Sequence, residues 1–200
     1  DGALAAGESV TLTVTFSEVV NVTGTPTIAL NSGGSASYTS GTGTNTLTFS
    51  YTPAAGQTTA DLATATNSAF SGTITDAAGN PVVASGFNNV NPTGTLAVDT
   101  AAPTATLTAA TIPNTSSVTV QSSETGTAYL VNSSVTVTNL ASITGAADSN
   151  WNSVSITSAN SNTSLSAAGL ANGTYRLYTV DAAGNLSAAS SNSVTIDSTA

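Results

Sequence analysis

Five residues, Asp76-Ala-Ala-Gly-Asn80, recur unchanged as Asp181-Ala-Ala-Gly-Asn185, and each copy follows a Ser-Glu pair, Ser17-Glu18 and Ser123-Glu124. Glu18 lies 58 residues before Asp76 and Glu124 lies 57 before Asp181. In a chain with ten acids and one base, four acids thus fall at equivalent places in two halves. Their chemistry is that of a cation site. Donors that are all oxygen, with no imidazole or thiolate, suit a hard divalent ion such as Ca²⁺ rather than a transition metal.

Composition removes most alternatives. The chain has no Cys, His, Met or Lys, and Arg176 is its single base. The usual nucleophile-and-base pairs and Cys/His metal centres cannot be assembled, so no enzyme is expected. Disulfides and Lys-Asn crosslinks are excluded as well, which leaves packing and ions to stiffen the chain. A net charge of −9 opposes nucleic-acid phosphate or an anionic membrane as partner, since both need basic contacts. No stretch approaches the ~18 apolar residues of a membrane span. The start carries no targeting signal, and the chain reads as an internal piece of a longer protein.

The elements that must hold these acids are strands. Val10, Leu12, Val14 and Phe16 alternate with Thr11, Thr13 and Thr15, as do Leu47, Phe49 and Tyr51 with Thr46, Thr48 and Ser50, the period of a half-buried strand. Further strands are expected at residues 27–31, 36–40, 72–76 and 94–99. In the second half they are expected at 105–109, 117–121, 127–131, 134–138, 153–157, 163–167, 174–181 and 193–197. No helix is expected. About seven short strands per hundred residues, joined by Gly- and Asn-rich turns, predict an all-β protein of two tandem immunoglobulin-like antiparallel β-sandwich domains, residues 1–99 and 100–200. The first domain reads as entering near its second strand, its first strand missing or incomplete, and an unpaired edge there would invite foreign strands.

Alternating strand direction then places the acids. Glu124 follows the second strand of the second module and Asp181 ends its sixth, so both belong at one pole. Asp99, ending the seventh strand of the first module, should meet that pole. Three carboxylates left empty at short range would repel or protonate, and a shared cation relieves this. Asn185 offers a side-chain carbonyl and Thr100 a main-chain one. Glu18, Asp76 and Asn80 form the matching pole of the first module, with Asp1 a weaker candidate beside them, and Asp197 would be half of a further site. Neighbouring modules of the same chain are the expected partners, and the chain is expected to be monomeric.

Both halves resemble the bacterial immunoglobulin-like tandem repeats of giant RTX-type biofilm adhesins. The first half carries the resemblance through Val14-Thr-Phe-Ser-Glu18, Val22-Thr-Gly-Thr-Pro-Thr-Ile-Ala-Leu30, Thr46-Leu-Thr-Phe-Ser-Tyr51, Ile74-Thr-Asp-Ala-Ala-Gly-Asn80 and Gly94-Thr-Leu-Ala-Val-Asp-Thr100. The second half, more divergent, carries it through Ser123-Glu124, Tyr178-Thr-Val-Asp-Ala-Ala-Gly-Asn185 and Val194-Thr-Ile-Asp197. The resemblance implies an extracellular extender on a bacterial cell surface, spacing an adhesive tip from the cell, with calcium at domain junctions limiting bending.

Plainer readings compete. Asp-Ala-Ala-Gly-Asn is also a sound turn, with Asp and Asn bonding nearby backbone and Gly taking positive φ. Glu8, Asp61 and Asp148 read as solvated turn acids. Trp151 and the five tyrosines could form a sugar-stacking platform, though a lone Trp is more often a packing residue, and Tyr175 and Tyr178 read as structural. The alternative function is therefore a carbohydrate- or peptide-binding module using loops at one pole.

Overall fold

The computed structural model describes residues 2–66, 70–82 and 90–199. Strands dominate, and the chain divides into two compact units, Asp1–Ala101 and Ala102–Ala200.

Unit one holds β1 (Gly2–Leu4), β2 (Val10–Ala29), β3 (Ser35–Ser40), β4 (Thr44–Tyr51), β5 (Phe70–Asp76) and β6 (Leu96–Val98). One sheet runs in the order β3-β4-β2-β5, and β1 pairs with β6 in parallel. β1 is three residues long, so the N-terminal strand expected to be missing or incomplete is present in part. Residues 10–16 and 27–31, expected as separate strands, largely merge in the 20-residue β2, which runs on through Gly24 and Pro26. Register shifts at Thr15/Val20 and Thr23/Thr27 bend this strand, and Gly24, at φ 78°, lies in the second. Leu47, Phe49 and Tyr51 are fully buried, as their alternation predicts. Val10, Leu12, Val14 and Phe16 are only half-buried.

Unit two holds β7 (Ala105–Leu107), β8 (Ala110–Ile112), β9 (Ser117–Ser122), β10 (Gly126–Asn132), α1 (Leu140–Thr144), β11 (Trp151–Ile156), β12 (Thr163–Ser166), β13 (Gly173–Asp181) and β14 (Val194–Ile196). A five-stranded sheet, β11-β10-β13-β14-β8, and a three-stranded one, β12-β9-β7, share one core of aliphatic side chains around Val120, Leu130, Leu165 and Leu177. The strand expected at 105–109 is the shorter β7, and β8 is an additional strand that was not expected. β7 pairs with β9 and β8 with β14, so the chain crosses from one sheet to the other between Leu107 and Ala110.

Two expectations fail between β10 and β11. Residues 134–138 alternate like a strand yet form none, because the Asn132 side chain accepts from the Ser134 backbone and starts a turn. The helix α1 then follows, and none was expected. Asn139 caps it and Ser142 completes a capping box, local side-chain bonds that an apolar period of two does not register.

Candidate metal centre

Both copies of the repeated pentapeptide fold into the same hairpin. In unit two, Asp181 is the last residue of β13, and its Oδ1 accepts from the Asn185 backbone N at 2.9 Å. Its Oδ2 accepts from Asn185 Nδ2, also at 2.9 Å. In unit one, Asp76 ends β5 and accepts from the Asn80 backbone N at 2.8 Å and from Asn80 Nδ2 at 2.7 Å. Gly184, at φ 95°, and Gly79, at φ 92°, supply the left-handed residue that such a turn requires. The turn reading therefore describes both copies. It does not exhaust the carboxylates, because each oxygen has two lone pairs and these bonds leave part of that capacity unused.

The Ser-Glu pairs meet these hairpins through a common register. Gly126 pairs with Asp181 and Val20 with Asp76, so the residue two beyond the glutamate opposes the aspartate in both units. Within unit two, Glu124 and Asp181 offer carboxylate oxygens within 4.8 Å of each other. Glu124 is half-buried, Asp181 is 8% exposed, and the Glu124 backbone N donates to Ser122 Oγ. In unit one, Glu18 is exposed in the bend of β2, and with Asp76 and Asn80 it lines an open cleft of about 370 Å³.

The remaining candidates sit at strand ends. Asp99 follows β6 and Asp197 follows β14, and their backbone N–H groups donate to Leu4 O and Ile112 O respectively. Asp99 Oδ1 accepts from the Ala101 N and Asp197 Oδ1 from the Thr199 N, one two-residue turn made twice. The Thr199 hydroxyl and N–H hold Asp197 below its ordinary pKa. The Thr100 hydroxyl accepts from Gly56 N and donates to Gln57 O, which fixes this residue on the 54–57 turn. Asp1 lies outside the described residues.

Sequence reasoning missed Asp61. It is no free turn acid: its carboxylate accepts from Asn91 Nδ2 at 2.6 Å and from the Leu96 N at 3.0 Å. No repeat flags it, and its partners stand 30 and 35 residues away. Trp151 packs against Tyr129 at 5.9 Å between ring centroids, and its indole nitrogen is buried without a hydrogen-bond partner.

No protein-family model matches the chain, and no curated protein matches it.

Proposed function

We propose that this chain is a pair of immunoglobulin-like modules from the repeat region of a bacterial surface adhesin, an extracellular spacer in which Asp99, Glu124 and Asp181 share one Ca²⁺ at the interdomain junction. The observation that carries the reading is the approach of Glu124 to Asp181 at one pole of unit two, while Glu18 and Asp76 line one cleft in unit one. The third acid, Asp99, is joined to unit two by a short linker. Thr104 bonds Ser123 in both directions, and the five residues from Asp99 to Thr104 span at most about 18 Å.

The donor set fits the ion. Three carboxylates supply charge and oxygen, while Asn185 orients Asp181 as a partner behind a ligand does. Asp197 would serve a following module in the same way. The immunoglobulin-like reading is supported by β7-β9-β12 against β8-β14-β13-β10-β11 in unit two. It is supported also by Tyr175, near the start of β13, whose hydroxyl donates to Ala171 O four residues upstream at 2.8 Å. A spacer rather than an enzyme agrees with a chain lacking Cys, His and Lys.

Calorimetric titration of the 200-residue chain with CaCl₂ tests this. Extracellular calcium modules bind at ~10⁻⁴–10⁻³ M, and that range is expected here. Glu124→Gln, isosteric but uncharged, should weaken binding about tenfold or more by removing one of three charges. No heat of binding, or an unaltered isotherm in Glu124→Gln, refutes the site. Saturable binding on a glycan array would instead favour the ligand-binding alternative.

A further inference from the structure

The floor beneath the acids differs between the two units. In unit two the core-facing row of β13 runs Tyr175, Leu177, Thr179, Asp181, so Thr179 is the inward side chain next to the carboxylate. Thr179 is 1% exposed, and its Oγ1 finds no hydrogen-bond partner among the described residues. Its backbone is engaged on both sides, the N–H donating to Ser187 Oγ and the carbonyl accepting from the Ser187 N–H, so the strand holds the hydroxyl in place. In the other sheet the inward row of β9 runs Val118, Val120, Ser122, and the buried Ser122 Oγ accepts from the Glu124 N–H. Each acid of this pole thus has a buried hydroxyl two residues before it.

Unit one sets the same acids on an apolar floor. Placing Val20↔Asp76 beside Gly126↔Asp181 puts Ile74 where Thr179 stands and Val22 where Ala128 stands. Phe16 precedes Glu18 by two residues as Ser122 precedes Glu124. Ile74 is buried, and Val22 and Phe16 pack against the same core. Packing alone is therefore served by an aliphatic side chain here. Valine has the shape of threonine and the same preference for strands, so an unpaired hydroxyl at residue 179 sacrifices stability that valine would keep. The hydroxyl is a liability unless something outside the chain bonds it.

The neighbour that can use it is the cation. Ca²⁺ takes about six to eight oxygen ligands, waters among them. Successive inward side chains of a strand start about 7 Å apart, beyond a direct bond and within the span of one bridging water. A buried water needs two to four polar partners, and the ion, Thr179 Oγ1 and the unused capacity of Asp181 supply them, while Ala128 in the place of Val22 leaves room. We propose that a Ca²⁺ held by Glu124 and Asp181 keeps one water ligand on its core-facing side, and that Thr179 Oγ1 holds this water, a positioning residue that unit one lacks. The inference rests on the calcium reading of these acids and goes one step inward from it.

Calorimetric titration of the intact 200-residue chain with CaCl₂ compares wild type, Thr179→Val and Thr179→Ser. Thr179→Val should weaken binding about tenfold, the usual cost of losing a partner behind a ligand, and Thr179→Ser, which keeps the hydroxyl, should restore most of it. Melts without calcium separate this from damage to the fold: Thr179→Val should melt at or above wild type, because it removes an unpaired buried polar group. A crystal structure with calcium should show a water about 2.4 Å from the ion and about 2.8 Å from Thr179 Oγ1. Unchanged affinity in Thr179→Val, a lowered calcium-free melt in that variant, or a bound ion with no water on Thr179 overturns the inference and leaves the calcium site standing. A wild-type chain that binds no calcium overturns both.

Discussion

A carboxylate that closes a turn and a carboxylate that ligates an ion are the same group at Asp181, because the Asn185 bonds consume only part of its acceptor capacity. Asn185→Ala tests the coupling. If Asp181 only closes the turn, the variant loses the same stability with and without calcium. If Asn185 also orients a ligand, calcium affinity should fall about tenfold by titration, the usual cost of losing an orienting partner. The acids also set a pH dependence. Bonding from Asn91, then from Leu96, lowers Asp61 from its ordinary 3.8, and bonding from Asn80 does the same for Asp76. A depressed folded-state pKa gives stability that is present above the unfolded value and lost as pH falls through the folded one. Thermal melts should therefore decline below about pH 4, and Asp61→Asn should flatten that decline in unit one. An unchanged pH profile in the variant would show that the Asp61 bonds contribute nothing.

Strands were legible in the sequence where one face is fully buried. Leu47, Phe49 and Tyr51 alternate and are 0–1% exposed, and Val118 and Val120 follow the same rule. Legibility fails where side chains bond the backbone locally: Asn132 and Asn139 turn a strand-like stretch into a turn and a helix. The shared register of the two Ser-Glu segments against Asp76 and Asp181 was foreshadowed by nearly equal separations, 58 and 57 residues. The Asp61 clasp was not, since only tertiary pairing brings Asn91 to it. Two substitutions probe how these elements are held. A Cβ on Gly126, at φ 149°, would stand 2.0 Å from Val180 O, so Gly126→Ala forces apart β10 and β13 beside the proposed centre. It should cost about 2 kcal/mol or more, against about 1 kcal/mol for Gly184→Ala, whose Cβ meets nothing. Chemical denaturation compares the two, and equal costs would show that the strands yield readily. Tyr175→Phe removes the hydroxyl that donates to Ala171 O, while Ser149 O keeps the Ala171 N–H, and should cost about 1–3 kcal/mol with the strands intact by circular dichroism.

At the scale of the whole chain the question is whether calcium acts through a site or through charge alone. Ten acids against one base repel one another, and any added salt weakens that repulsion by shortening the Debye length to about 8 Å at 0.15 M. Diffuse screening depends on ionic strength, continues to grow with salt, and does not distinguish Glu124 from other acids. A site saturates. At ten to a hundred times the dissociation constant, one bound ion raises stability by about 1.4–2.7 kcal/mol. A unit of about 100 residues is stable by only ~5–15 kcal/mol in total, so this increment is visible as a rise of roughly 7–13 °C in melting temperature. Melts in millimolar CaCl₂ should therefore exceed melts in NaCl of equal ionic strength, reach a plateau, and return on addition of chelator. Glu124→Gln should keep the NaCl response and lose most of the calcium increment. If NaCl reproduces the calcium effect, or if the variant retains it, the acids are a solvated charge pattern and the two units are linked by the chain alone.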